Sequence, residues 1–124
     1  MSRHVLPVES LPDRKRYEVV AGWDPPLQYL FLDVFDVTKA GRWRSPRLVF
    51  SNLDLPEGPA MSIAQIHRVL ERAGIDAPQG LASALARDRA ENRNGPEITY
   101  PVQRIDLAVD VKQLLRMRRR GLDA

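Results

Sequence analysis

Arg42-Trp43-Arg44 sets two guanidinium groups around an indole, and Lys39 and Arg47 extend the run with no intervening acid. Guanidinium groups fork onto carboxylates or phosphates, while an indole stacks on a base or covers an apolar side chain. The chemistry on offer is capture of an anion. A second block lies near the end of the chain, where Lys112, Arg116, Arg118, Arg119 and Arg120 bring five positive charges without an acid. The whole chain carries only +3, so the remainder is net negative and the positive charge is concentrated. Arg14-Lys15-Arg16 makes a third run. The competing reading of each run is a solvated face whose aliphatic stems lie on apolar surface.

Bond-making chemistry finds less support. His4 and His67 are the only histidines, and neither stands near a serine or carboxylate at a spacing that suggests a nucleophile and its base. The absence of cysteine excludes disulfides, thiolate metal sites and a cysteine nucleophile, and fits a reducing compartment. Asp33 and Asp36 are close in a strand but point to opposite faces, so they do not chelate one ion. The glycines are scattered and form neither a dinucleotide fingerprint nor a phosphate loop. No enzyme activity, metal or cofactor is expected. Two acids remain as candidate ligand-binding or structural residues. Asp24 sits in the corner Trp23-Asp24-Pro25-Pro26, where a turn aspartate accepts local backbone hydrogen bonds or offers its carboxylate to a partner. Asp88 falls on the inward face of a helix, where an acid pairs with an arginine or caps the backbone of a returning strand.

These residues need a scaffold. Tyr17, Val19, Ala21 and Trp23 alternate, as in a half-buried strand, and Gly22 marks a bulge or a close backbone approach. Pro25 and Pro26 end that strand, and Gln28 to Val37 follows as a second. Phe31, Leu32, Val34 and Phe35 make it apolar on both faces, as in the middle of a covered sheet. After the polar, basic loop 38–46, Leu48-Val49-Phe50 reads as a third strand, and local connections make the sheet an antiparallel meander. Ser62 and Gln65 form a capping box for a helix with Ile63, Ile66, Val69, Leu70 and Ala73 on one face, stopped at Gly74. Pro78 opens a second helix through Leu81, Ala84, Leu85 and Asp88. Ile98, Tyr100 and Val102 return to the sheet as a strand that Pro101 confines to an edge. Leu107, Val111, Leu114, Leu115 and Arg118 then line a third helix over 106–120, with alternation at 105–111 as the competing strand reading.

The expectation is an α+β fold in one small domain: an antiparallel sheet of about four strands packed by two helices, plus a C-terminal basic helix. Residues 1–16 read as a flexible arm, 17–105 as the core and 106–124 as the basic amphipathic tail. No stretch approaches the ~20 apolar residues of a membrane-spanning helix, and residues 1–16 lack a signal pattern, so a cytoplasmic setting is expected. The edge opposite Pro101 is left open for dimerisation.

Gly22-Trp23-Asp24-Pro25-Pro26-Leu27 with the aromatic strand, Ser51-Asn52-Leu53 and Asp88-Arg89-Ala90-Glu91-Asn92-Arg93-Asn94-Gly95 resembles a family of small bacterial proteins with no assigned activity. The resemblance spans Tyr17 to about Tyr100. It implies a bacterial, stand-alone protein and carries over no functional residue. The function expected from the residues is a non-enzymatic module that binds an acidic macromolecule, protein in the first instance. Arg42, Trp43, Arg44, Arg47, Arg116, Arg118, Arg119 and Arg120 would form the binding surface. Sequence-tolerant nucleic-acid binding by the same surface is the alternative. Small-ligand binding or catalysis around Asp24 or Asp88 is the third reading.

Overall fold

Alternation in four successive segments builds most of the sheet. The computed structural model describes residues 1–56, 58–95 and 97–122. Strands β1 (Arg3–Ser10), β2 (Lys15–Asp24), β3 (Tyr29–Asp36) and β4 (Arg47–Ser51) pair antiparallel in chain order. Helices α1 (Ile63–Arg72) and α2 (Leu81–Glu91) follow, then the short strands β5 (Glu97–Thr99) and β6 (Gln103–Ile105), and finally α3 (Val111–Arg120). The six-stranded sheet runs β4-β3-β2-β1-β5, and β6 also pairs with β1, beyond β5 on the same side. The fold is α+β with three helices and a mostly antiparallel sheet.

The segment expected to be a flexible arm is instead β1. Leu6 and Val8 point to the helix-covered face and join the core, while Val5 faces the other side. Pro7 does not break the strand, because its missing N–H falls where the ladder is already interrupted. Val5 O accepts from Tyr100 N–H, and Leu11 N–H donates to Ile105 O. Backbone groups alternate sides along a strand, so Pro7 also faces β5 and β6. It lies opposite the gap where Pro101 separates them.

On the covered face, Tyr17, Val19, Ala21 and Trp23 of β2 meet Leu30, Leu32 and Val34 of β3 in one core with Ile66, Val69, Leu70, Leu81, Leu85, Leu114 and Met117 of the helices. The other face has no helix over it among the described residues. Val5, Val20 and Phe31 cover one another there, flanked by Tyr29 and Phe35. The double-faced hydrophobicity of β3 thus reflects this small second cluster rather than a further layer. The β3–β4 ladder shifts register at Val34/Phe35. Where β4 ends, the buried Asn52 side chain accepts from Leu32 N–H at 3.0 Å and donates to Leu30 O at 2.9 Å, replacing the lost strand partner.

The helices follow their local signals, with two displacements. Ser62 and Gln65 exchange both capping-box bonds at 3.1 and 2.8 Å, and Gly74 turns left-handed at φ +81°, after which Ile75 N–H returns to Leu70 O. Pro78 does not open α2. It sits one turn earlier, where its carbonyl accepts from Leu81 N–H, and Gly80 is the N-cap. The third helix starts at Val111 rather than Asp106. Ile105 is claimed by β6, Asp110 caps Gln113 N–H, and Asp110 N–H is held by Ala73 O at the end of α1.

Two consequences are testable. A methyl group at Gly22 would overlap the carbonyl oxygen of Ser2 and approach Phe31 Cζ to 2.6 Å. Gly22→Ala should therefore cost about 2–3 kcal/mol in denaturant unfolding, and an unchanged midpoint would refute the close approach. Asp33, on the helix-free face, has its carboxyl raised above the ordinary 3.8 by burial, with the Ser51 hydrogen bond opposing and the Asp54 charge reinforcing. A raised acid favours the fold when protonated, so this contribution weakens as pH climbs from about 4 through the raised value. Asp33→Asn should raise the melting temperature at pH 7 and leave it unchanged near pH 3, measured by thermal melts across that range.

Candidate functional site

The basic loop is a hairpin extension between β3 and β4. Gly41 N–H donates to Arg44 O at 2.9 Å, so Arg42 and Trp43 occupy the tip of a tight turn. The Arg42 guanidinium lies 5.0 Å from the centroid of the Trp43 ring, within cation–π range. Trp43 is 86% exposed, so the indole has not packed on the sheet. The base of the loop is stitched to β2: Val37 N–H donates to Arg16 O, and Thr38 Oγ1 accepts from Arg16 N–H at 2.9 Å.

That stitching draws in a residue that the sequence left in a separate run. Lys15 joins Lys39, Arg44 and Arg47 around a cleft of about 380 Å³, with Thr38, Ala40, Ser45 and a single acid, Asp36. Asp36 pairs with Arg47 at 3.3 Å. Burial works to raise its carboxyl, but hydrogen bonds from Thr38 and the charges of Arg47 and Lys15 outweigh this and hold it below the ordinary value. Four cations around one committed carboxylate leave the cleft strongly positive.

On α3 the cations divide. Arg118 pairs with Asp54 at 3.5 Å, and Arg116 donates to Gln113. Arg42, Arg44, Arg119 and Arg120 make no ion pair with an acid among the described residues. Arg47 opens β4 and Asp54 lies beyond its other end. The Arg47–Asp36 and Arg118–Asp54 pairs therefore lie at opposite ends of that strand, roughly 13 Å apart at ~3.3 Å per residue.

Asp24 takes its structural reading. It is 5% exposed, its carboxylate accepts from Leu27 N–H at 3.2 Å and its carbonyl from Gln28 N–H at 2.7 Å. Trp23 is tied down beside it, with Nε1–H donating to Asn92 Oδ1 at 3.0 Å.

Asp88 takes neither of its expected partners. It meets His4 Nε2 at 2.7 Å, and His4 Nδ1 lies 3.0 Å from the Tyr100 hydroxyl. His4 is only 1% exposed, a position that residues assigned to an arm gave no hint of. Carboxylate, imidazole and hydroxyl stand in the order of a proton relay, beside a cleft of about 410 Å³ lined by Arg87, Glu91, Arg93 and Asn94 among others. Burial first, and the Asp88 charge second, raise the Tyr100 phenol. With both ring nitrogens committed to protein groups, the constellation braces β1 against α2 and the segment after β5. The sequence could not join residues separated by 84 and 96 positions. The one available signal was Asp88 itself, an acid on an inward helical face.

No family model, curated protein or solved structure matches the chain. Among the described residues no three His, Asp or Glu side chains converge on a metal position, and no helix is long and apolar enough to cross a membrane.

The brace predicts a thermodynamic signature. Asp88→Ala leaves a buried imidazole nitrogen without its hydrogen-bond partner and should cost about 1–3 kcal/mol. Adding His4→Ala should cost markedly less than the sum of the two single changes. Additive losses in denaturant melts would show the pair to be uncoupled.

Proposed function

We propose that the protein is a non-enzymatic interaction module that captures an acidic partner protein through the β3–β4 loop and the cationic face of α3. The observation that carries this reading is Arg42, Trp43 and Arg44 standing on an exposed hairpin turn, the two arginines making no ion pair with an acid among the described residues. The positive cleft at the loop base supplies further donors from a second hairpin through Lys15. Exposed ion pairs yield only ~0.2–1 kcal/mol each, so several must act together, and their main effect is on encounter rate and orientation. A bacterial, cytoplasmic setting belongs to the same proposal, on the strength of the family resemblance and the lack of cysteine.

Nucleic acid is the alternative occupant. A single-strand binder tracks a backbone along a continuous groove, whereas these clusters are separated by a strand length. That favours a protein carrying spaced acidic groups. Arg47 and Arg118, already paired to Asp36 and Asp54, contribute less than the unpaired arginines.

Labelled polyglutamate and a single-stranded oligonucleotide of equal charge provide the comparison. Polyglutamate should bind at low salt, weaken as salt rises, and lose at least about tenfold in affinity in the Arg42→Glu/Arg44→Glu variant. The melting temperature should move by less than about 2 °C, since exposed charges contribute little to stability. Tenfold tighter binding of the oligonucleotide would transfer the proposal to nucleic acid. A parallel collapse in stability would make these arginines part of the fold.

A further inference from the structure

The two basic clusters are separated by β4, an edge strand of the sheet. Asn52 fixes which side of β3 faces β4, because its side chain bonds the backbone of Leu30 and Leu32. By alternation Val34 and Asp36 also face β4, so their partners Phe50 and Arg47 turn their backbone groups inward. Leu48, opposite Phe35, then directs its N–H and C=O away from the sheet. No other described segment forms a backbone hydrogen bond with that outer edge. Apolar side chains accompany it: Leu48 is 50% exposed and Leu53 53% exposed.

From this juxtaposition we infer that β4 receives an extended acidic segment of the partner protein as an added strand. This deepens the proposed function and rests on it. The main-chain bonds come from the β4 edge, and the partner's acids meet Arg42, Arg44 and Arg47 at one end and the α3 arginines beside Asp54 at the other. An apolar centre on the partner covers Leu48. The separation of the clusters, which disfavours a nucleic-acid track, is the spacing an extended peptide spans.

Charge selects this occupant over a second copy of the chain. Antiparallel pairing of two β4 edges would bring the loop cations of each copy toward the α3 cations of the other, a like-charge contact.

The experiment is an anisotropy titration of the full chain with labelled peptides of about ten residues, a strand's length. Each carries glutamates at both ends of an isoleucine–valine centre. Two derivatives are N-methylated on alternate residues of the centre, one on the odd set and one on the even. A strand added to an edge uses only one set of its N–H groups, so one derivative should bind at least about tenfold more weakly than the parent and the other within about twofold. Equal behaviour of the two derivatives overturns strand addition. If both then retain salt-sensitive binding that Arg42→Glu/Arg44→Glu abolishes, the charge-based function stands without it. Failure of the parent peptide to bind overturns the inference as well, and polyglutamate capture then reports separately on the broader reading. Sedimentation showing a dimer that the peptide does not dissociate would assign the edge to a second copy and likewise overturn it.

Discussion

His4 held between Asp88 and Tyr100 is the interaction on which the arrangement of this molecule turns. An imidazole taken out of water costs stability unless its nitrogens are bonded, and here both are. The partners lie on different elements, so satisfying one ring aligns three: β1, which carries it, α2, which supplies Asp88, and the segment after β5, which supplies Tyr100. Strand β1 pairs with β2, β5 and β6. Without it the sheet would lose its parallel strands β5 and β6, and α2 would lose the His4 anchor of its C-terminal turn. Asn92 completes the same seam by accepting from the Trp23 indole and the Gln28 amide.

Local patterns foretold the parts whose determinants are local. The β2–β3–β4 meander, the capping box of α1 and the left-handed stop at Gly74 all emerge from patterns within short stretches of chain, whereas the close approach marked by Gly22 is made to Ser2 and Phe31. What escaped was written across the chain. Two prolines in residues 1–16 argued for an arm, yet Pro7 is harmless because its position faces an interruption caused by Pro101. Pro101 likewise splits the returning strand into β5 and β6, and this split together with β1 raises the expected four strands to six. Ile105 lay within two competing periodicities, and the outer side of β1 decided between them by binding it.

The candidate surface was legible in composition and illegible in grouping. Arg42, Trp43 and Arg44 stand where a basic loop should put them, but Lys15 joins them only because Thr38 is stitched to Arg16. The tail divides in the opposite sense. Arg118 is drawn onto Asp54 while Arg119 and Arg120 make no ion pair with an acid among the described residues. A run of like charges in a sequence therefore overstates what is available at the surface, and the amount of overstatement depends on which acids the fold carries alongside.

The two rims of the sheet are unequal. One is a five-residue strand; the other is two three-residue pieces with a proline between them. Open-ended polymerisation through strands requires each subunit to offer two competent borders, one to receive and one to present. This molecule has one. Association through β4 is thus self-limiting, and the broken border serves as protection against fibre growth.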